Sequence, residues 1–259
     1  MSADAEIWAQ LRTLTPARIG LGRSGSGLPT RAVLRFGLAH AQARDAVHTP
    51  MDAEAIAGAI EELGFASLRV ASQAPDRAAY LRRPDQGRAL ARADGDALKR
   101  AAAGPVDLAI VVADGLSARA VHEGAAAFLA AFQPHAERAG WRLAPVVVAT
   151  QARVALGDAV GAALEARAVA VLIGERPGLS SPDSLGIYLT FAPRPGRSDA
   201  ERNCISNVRP AGLSHALAAF KLDWLLNQAF ARGLTGVSLK DESETALADS
   251  DAAASLPGA

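Results

Sequence analysis

Three short, almost wholly apolar runs, Val106–Ala113, Leu143–Ala149 and Ala168–Ile173, constrain this chain more than any other feature. Each is too short for a typical helix and shows no polar alternation, which is the pattern of a strand buried on both faces. The segments between them are long enough for helices. Strands that alternate with helices imply right-handed βαβ crossovers and a mostly parallel sheet, so the expected class is α/β.

Further elements can be placed around these three. Ser67–Ser72 and Gly186–Ala192 read as strands, and Ser117 can cap a helix that runs through Phe132 to Ala139. Helices are expected at about 151–166 and from Leu213 to Ala231, stopping near Gly233, with a loop from Pro193 to about Gly212. Residues 1–66 differ in character. Ile7, Trp8, Leu11 and Leu14 recur at helical spacing, a glycine-rich loop occupies 20–29, and helices are expected from Thr30 towards Val47 and from Thr49-Pro50 to Leu63-Gly64. The domain reading is a helical arm region over 1–66, an α/β region over 67–240, and a small, acidic, alanine-rich tail from Asp241 expected to be disordered.

Composition removes several function classes. With 27 basic and 27 acidic residues the net charge is zero, which argues against a nucleic-acid binder held by charge. A single cysteine excludes an internal disulfide framework and any Cys-x-x-Cys zinc pair. The N-terminus lacks a secretory pattern and no apolar stretch reaches the ~18 residues of a membrane span, so a cytoplasmic protein is expected.

Four local motifs invite a chemical reading. Gly20-Leu-Gly-Arg-Ser-Gly25 fits the dinucleotide fingerprint, with Asp45 about twenty residues on. That fingerprint needs a strand before it and a helix directly after, and here Leu14–Ile19 is no buried strand and Pro29 follows closely. Asp114-Gly-Leu-Ser117 joins a strand end to a helix start; it could hold anionic or amide oxygens, or be an ordinary capped turn. Glu175 follows the run ending at Ile173, where parallel sheets hold ligands. It could pair with Arg176 or accept hydrogen bonds from ligand amides, and the strand-end position favours the second. Cys204 could be a nucleophile, a small buried residue or a packing contact; with no histidine partner in view, spacing favours the buried residue. The five histidines are scattered and suggest no metal site.

Seven segments in register carry a family resemblance. They are Thr15–Thr30, Ala39–His48, Tyr80–Arg88, Val112–Ser117, Ala152–Val154, Gly174–Leu179 and Arg202–Asn207. Over roughly 13–236 the chain resembles the small subunit of ethanolamine ammonia-lyase, an adenosylcobalamin-dependent enzyme. The resemblance implies a Rossmann-like, mostly parallel sheet with flanking helices, preceded by a smaller helical N-terminal domain. It implies a large barrel subunit as partner, with the cobalamin between the two chains, and conversion of ethanolamine to acetaldehyde and ammonia by a radical route. The family's cobalamin contacts fall on Val154, Glu175 and Cys204 of this sequence, with Cys204 as a packing contact. No catalytic residue is expected here, because the family places substrate contacts on the large subunit. The chain lacks Asp-x-His-x-x-Gly, the motif whose histidine replaces the cofactor's own base on cobalt. A bacterial microcompartment is a further expectation for location. The competing readings are a stand-alone nucleotide-binding oxidoreductase using Gly20–Gly25 and Asp45, and a non-catalytic assembly subunit.

Overall fold

The computed structural model describes residues 3–246. Six strands, β1 (Ser67–Ala71), β2 (Val106–Ala113), β3 (Val146–Thr150), β4 (Ala166–Gly174), β5 (Leu185–Phe191) and β6 (Asn203–Val208), form one sheet in the order β1-β3-β2-β4-β5-β6. The pairings from β1 to β4 are parallel, whereas β4–β5 and β5–β6 are antiparallel. The mixed sheet has a direct cause in chain length. Only the ten residues 175–184 separate β4 from β5, too few for a crossover helix, so the chain turns back.

The helices that flank the sheet are α1 (Ala3–Thr13), α2 (Thr30–His48), α3 (Ala53–Glu62), α4 (Arg77–Arg82), α5 (Pro84–Arg88), α6 (Arg92–Ala101), α7 (Ala118–Ala139), α8 (Leu156–Ala163) and α9 (His215–Arg232). Alternation along the strands divides the core into two. Leu108, Ile110, Val112, Ile187 and Leu189 face α3, α7 and α9, where Phe128 and Phe132 are fully buried. Ala109, Val111, Ala113, Val169 and Val171 face α6 and α8. On that second face α8 packs over β2 and β4, while α9 and α7 cover β5 on the first. Among the described residues the second face is therefore covered by α-helix mainly over β2 and β4, and less so at the β5–β6 corner.

Several expectations are corrected. The segment read as a loop from Pro193 to Gly212 contains β6, so Cys204 lies on a strand. Only Ile205 and Val208 of that strand are buried, and a register shift against β5 between them breaks the alternation, which leaves too few apolar residues in too irregular a spacing to be recognised. The helix expected over 151–166 is only Leu156–Ala163, since Gln151 has φ 53° and the chain enters through a turn. Helices α4, α5 and α6 were not foreseen. The helix near Thr49-Pro50 starts at Ala53, capped by the Asp52 carboxylate, which accepts from the Ala55 N–H at 3.0 Å. The first residues of the expected tail are anchored: the buried Lys221 amine donates to Ser243 at 3.2 Å and Glu244 at 3.0 Å. The remainder, 247–259, lies outside the described residues.

At the N-terminal end, α3 is rooted in the sheet core through Ile56 and Ile60. By contrast Ile7, Trp8, Leu11 and Leu14 of the first segment and Val33, Leu34, Phe36 and Leu38 of α2 are exposed.

Candidate functional site

The carboxyl ends of the parallel strands are knitted together by one carboxylate. Asp114, buried at the end of β2, accepts from the N–H groups of Gln151 and Ala152 at 2.9 and 2.8 Å and from the Arg77 guanidinium at 3.3 Å. Burial pushes its pKa up against those stabilising contacts. Ser117 caps α7 through the Ala120 N–H at 3.2 Å and donates to the Pro182 carbonyl at 2.7 Å, while Leu116 N–H donates to Gly174 at 2.9 Å. The Asp114 and Ser117 side chains are thus spent inside the fold, in the manner of a capped turn. Gly115 sits at φ 53° with a would-be Cβ 2.3 Å from the Gly174 carbonyl, so only glycine allows the β2 and β4 ends to approach this closely.

Asp114 also holds the turn that carries Val154. Beneath that turn Tyr80 is 1% exposed, with the guanidinium groups of Arg77 and Arg153 4.7 and 4.6 Å from its ring centroid. Its hydroxyl donates to Ala152 at 3.3 Å, and Arg153 N–H donates to Gly87 at 2.8 Å. Burial, then the charge of Asp114, pushes the Tyr80 phenol up to about 12, so it stays a neutral donor. The Tyr80–Arg88 motif is accordingly a brace for the Ala152–Val154 motif. Val154 itself is half-buried and packs on the apolar cluster of the second sheet face.

Glu175 and Cys204 are brought together around Tyr188, which the sequence did not single out. Tyr188 pairs across the sheet with Cys204, so both side chains point to the same face, and Tyr188 packs on the same cluster as Val154. The Glu175 carboxylate accepts from the Ser184 hydroxyl at 2.5 Å and the Asn207 N–H at 3.3 Å, joining the β4 end to β5 and β6. A Cβ on Gly186 would lie 3.1 Å from both Glu175 and the Tyr188 ring, so the small residue lets the two close up. Arg176 takes no part in an ion pair with Glu175 among the described residues. Cys204 is exposed, and its thiol lies within hydrogen-bonding reach of Tyr188. Burial, with the charge of Glu175 adding to it, raises the thiol pKa. Burial also raises the Tyr188 phenol, with Cys204 and Glu175 contributing. The corner therefore presents a neutral thiol and a neutral phenol beside the Glu175 carboxyl group.

That electrostatic state has a direct test, since Cys204 is the sole cysteine. Alkylation of the folded chain at around pH 8 should be several-fold slower than that of a free thiol, whose pKa is about 8.5. The deficit should close as pH rises further. Rates measured by mass spectrometry that exceed those of glutathione near neutrality would rule out the neutral-thiol assignment.

The remaining candidates separate from this corner. No strand precedes Gly20–Gly25, and the next helix starts only at Thr30, so the dinucleotide context is absent. Gly20 instead packs on Trp8, whose ring lies 2.5 Å from a would-be Cβ. The same segment reaches the Glu175 loop, with the Arg18 guanidinium donating to the Leu179 carbonyl at 3.2 Å. No cluster of metal-ligating side chains occurs among the described residues, and none of their helices is long and apolar enough to cross a membrane.

Comparison with known proteins agrees over almost the whole chain. Residues 5–240 match the family described as ethanolamine ammonia-lyase light chain. The chain is 55% identical to the ethanolamine ammonia-lyase small subunit of Xanthomonas campestris pv. campestris, covering 96% of this chain and 92% of that one. It is 53% identical to the small subunit of Pseudomonas syringae pv. tomato, covering 96% and 88%. It is 57% identical to that of Bradyrhizobium diazoefficiens, covering 90% of both chains.

Proposed function

This chain belongs to the ethanolamine ammonia-lyase light-chain family, and from that premise we propose that it is the small subunit of a lyase complex converting ethanolamine to acetaldehyde and ammonia. Its task in the complex is to hold one side of adenosylcobalamin through Val154, Glu175 and Cys204 against a large barrel subunit. The observation that carries this reading is the gathering of Glu175 and Cys204 around Tyr188 on the β5–β6 corner of the sheet. The residues fit the group in chemical type. A corrin is a broad apolar ring fringed with amides. Glu175 spends its carboxylate on two protein donors and keeps lone pairs for amide N–H groups. Val154 and the neutral Cys204 offer apolar and polarizable contact.

When bound, adenosylcobalamin would supply the radical chemistry that the conversion needs, and the residues of this chain that would hold it are Val154, Glu175 and Cys204. This chain orients and secludes. Glu175 accepts hydrogen bonds, the Tyr188–Cys204 pair shapes the floor, and the Asp114 and Tyr80 braces keep the Val154 turn in place. Catalytic side chains belong to the large subunit, so the chain alone is inactive.

On this reading residues 67–240 form the Rossmann-like unit. Residues 1–66 form the arm that meets the partner, rooted by α3 and accounting for the exposed apolar side chains of α1 and α2. The complex is cytoplasmic, enclosed in a bacterial microcompartment in hosts that build one. Coexpression with the large subunit tests the whole reading. Acetaldehyde should form from ethanolamine only when both chains and adenosylcobalamin are present, and a version lacking residues 1–28 should copurify poorly. Activity of either chain alone, or a complex that ignores the cofactor, would sink the assignment.

A further inference from the structure

Helix α8 carries one polar side chain, Asp158, and it is buried. Its carboxylate accepts both terminal nitrogens of Arg202 at 2.7 Å each, with side-chain exposures of 1% and 2%. The same guanidinium donates to the Thr190 hydroxyl at 2.9 Å and the Arg197 carbonyl at 3.0 Å. One ion pair therefore joins α8, β5, the connecting loop and the start of β6.

A buried ion pair is a poor choice for stability alone, because desolvation offsets much of the attraction and apolar residues of similar volume serve as well. What it provides is a fixed position. The rest of α8 is apolar or glycine, and glycines form its closest contacts: a Cβ on Gly157 would lie 2.3 Å from Val171, and one on Gly161 2.5 Å from Pro193. Its buried Leu156 and Val160 seat it by apolar packing, which is not directional. A bidentate guanidinium–carboxylate pair is directional. The pair also stands between two proposed contacts. Val154 lies four residues before Asp158, and Cys204 two residues after Arg202.

We infer that the Asp158–Arg202 pair is a positioning device that sets the Val154 turn against the Cys204 strand, so that one cofactor can meet both. The inference rests on the cobalamin reading of those contacts. The test uses the complex with the large subunit and cyanocobalamin as probe, with affinity measured by equilibrium dialysis. The double variant Asp158→Leu/Arg202→Met should assemble and keep its thermal midpoint, yet bind the probe about tenfold more weakly, the lower end of what the loss of an outer-shell partner costs at metal sites. Adding Cys204→Ala to it should cost less than the same change in the parent, a non-additivity that simple loss of stability does not produce. If the double variant does not fold, Arg202→Lys, which keeps the charge and loses the bidentate fork, should show the same weakening. Parent-like affinity with additive Cys204→Ala effects would overturn the positioning role while leaving the contacts standing. Parent-like affinity of both Cys204→Ala and Glu175→Ala in the native background would overturn the contact reading, and this inference with it.

Discussion

Asp158→Ala should be among the most damaging single substitutions in the chain, costing ~3–5 kcal/mol of unfolding free energy. Alanine leaves the Arg202 guanidinium buried, still held by Thr190 and the Arg197 carbonyl but facing no buried carboxylate. Its other acidic neighbour, Asp199 at 3.4 Å, is 81% exposed and screened by water. For a domain of this size the loss corresponds to a fall in Tm on the order of 10 °C. Urea denaturation followed by circular dichroism measures it. A cost below about 1 kcal/mol would mean that Arg202 escapes to solvent when unpaired, and that the pair is not sealed as described. The contrast with the apolar double variant is the informative part. Removing one charge should be severe and replacing both mild.

Gly174→Ala should be nearly as harmful for a different reason. A Cβ there would lie 2.0 Å from the Ser117 carbonyl and 2.6 Å from the Asp114 carbonyl, and both atoms are backbone. Neither can rotate away, because Ser117 caps α7 and Asp114 is held by the turn after β3. The new methyl must push the β2 and β4 ends apart, an overpacking cost of about 3 kcal/mol or more, at the upper end for added methyl groups. The displacement reaches Glu175 directly, so cofactor affinity of the complex should fall along with stability. Gly178→Ala is the matching control. There the close contact is the Ser181 hydroxyl at 2.6 Å, a side chain that can change rotamer, so midpoint and affinity should stay near those of the parent. A Gly174→Ala chain as stable as the control would show that the two strand ends are not locked.

How much of this was legible beforehand depended on where apolar residues concentrate. The central strands announce themselves because both faces are buried, and Glu175 could be placed because the run before it stops at Gly-Glu-Arg-Pro-Gly. Strand β6 did not, since Asn-Cys-Ile-Ser-Asn-Val at a sheet edge offers only Ile205 and Val208 to the core. With β6 unseen, the pairing of Tyr188 with Cys204 was invisible, and Cys204 looked like a loop residue. Helices α4 to α6 are short, rich in arginine and alanine, and bury little beyond Tyr80, Gly87 and Leu98, so their periodicity is weak. The position of Val154 came from family resemblance alone. That Tyr80 and Asp114 hold its turn is a property of three segments far apart in sequence, which no local pattern encodes.

The sparsely covered β5–β6 corner of the sheet bears on timing as well as affinity. Enzymes that enclose a cofactor within one chain commonly admit it by moving a loop or lid. Here Cys204 and Ser206 lie open on a bare strand face, with no segment of the described chain folded over them. On the proposed reading the second chain covers this face, so exchange of a spent cofactor would follow the parting of the two subunits. Turnover of damaged cobalamin then becomes a property of subunit exchange, and anything that prises the chains apart would serve to reload the site.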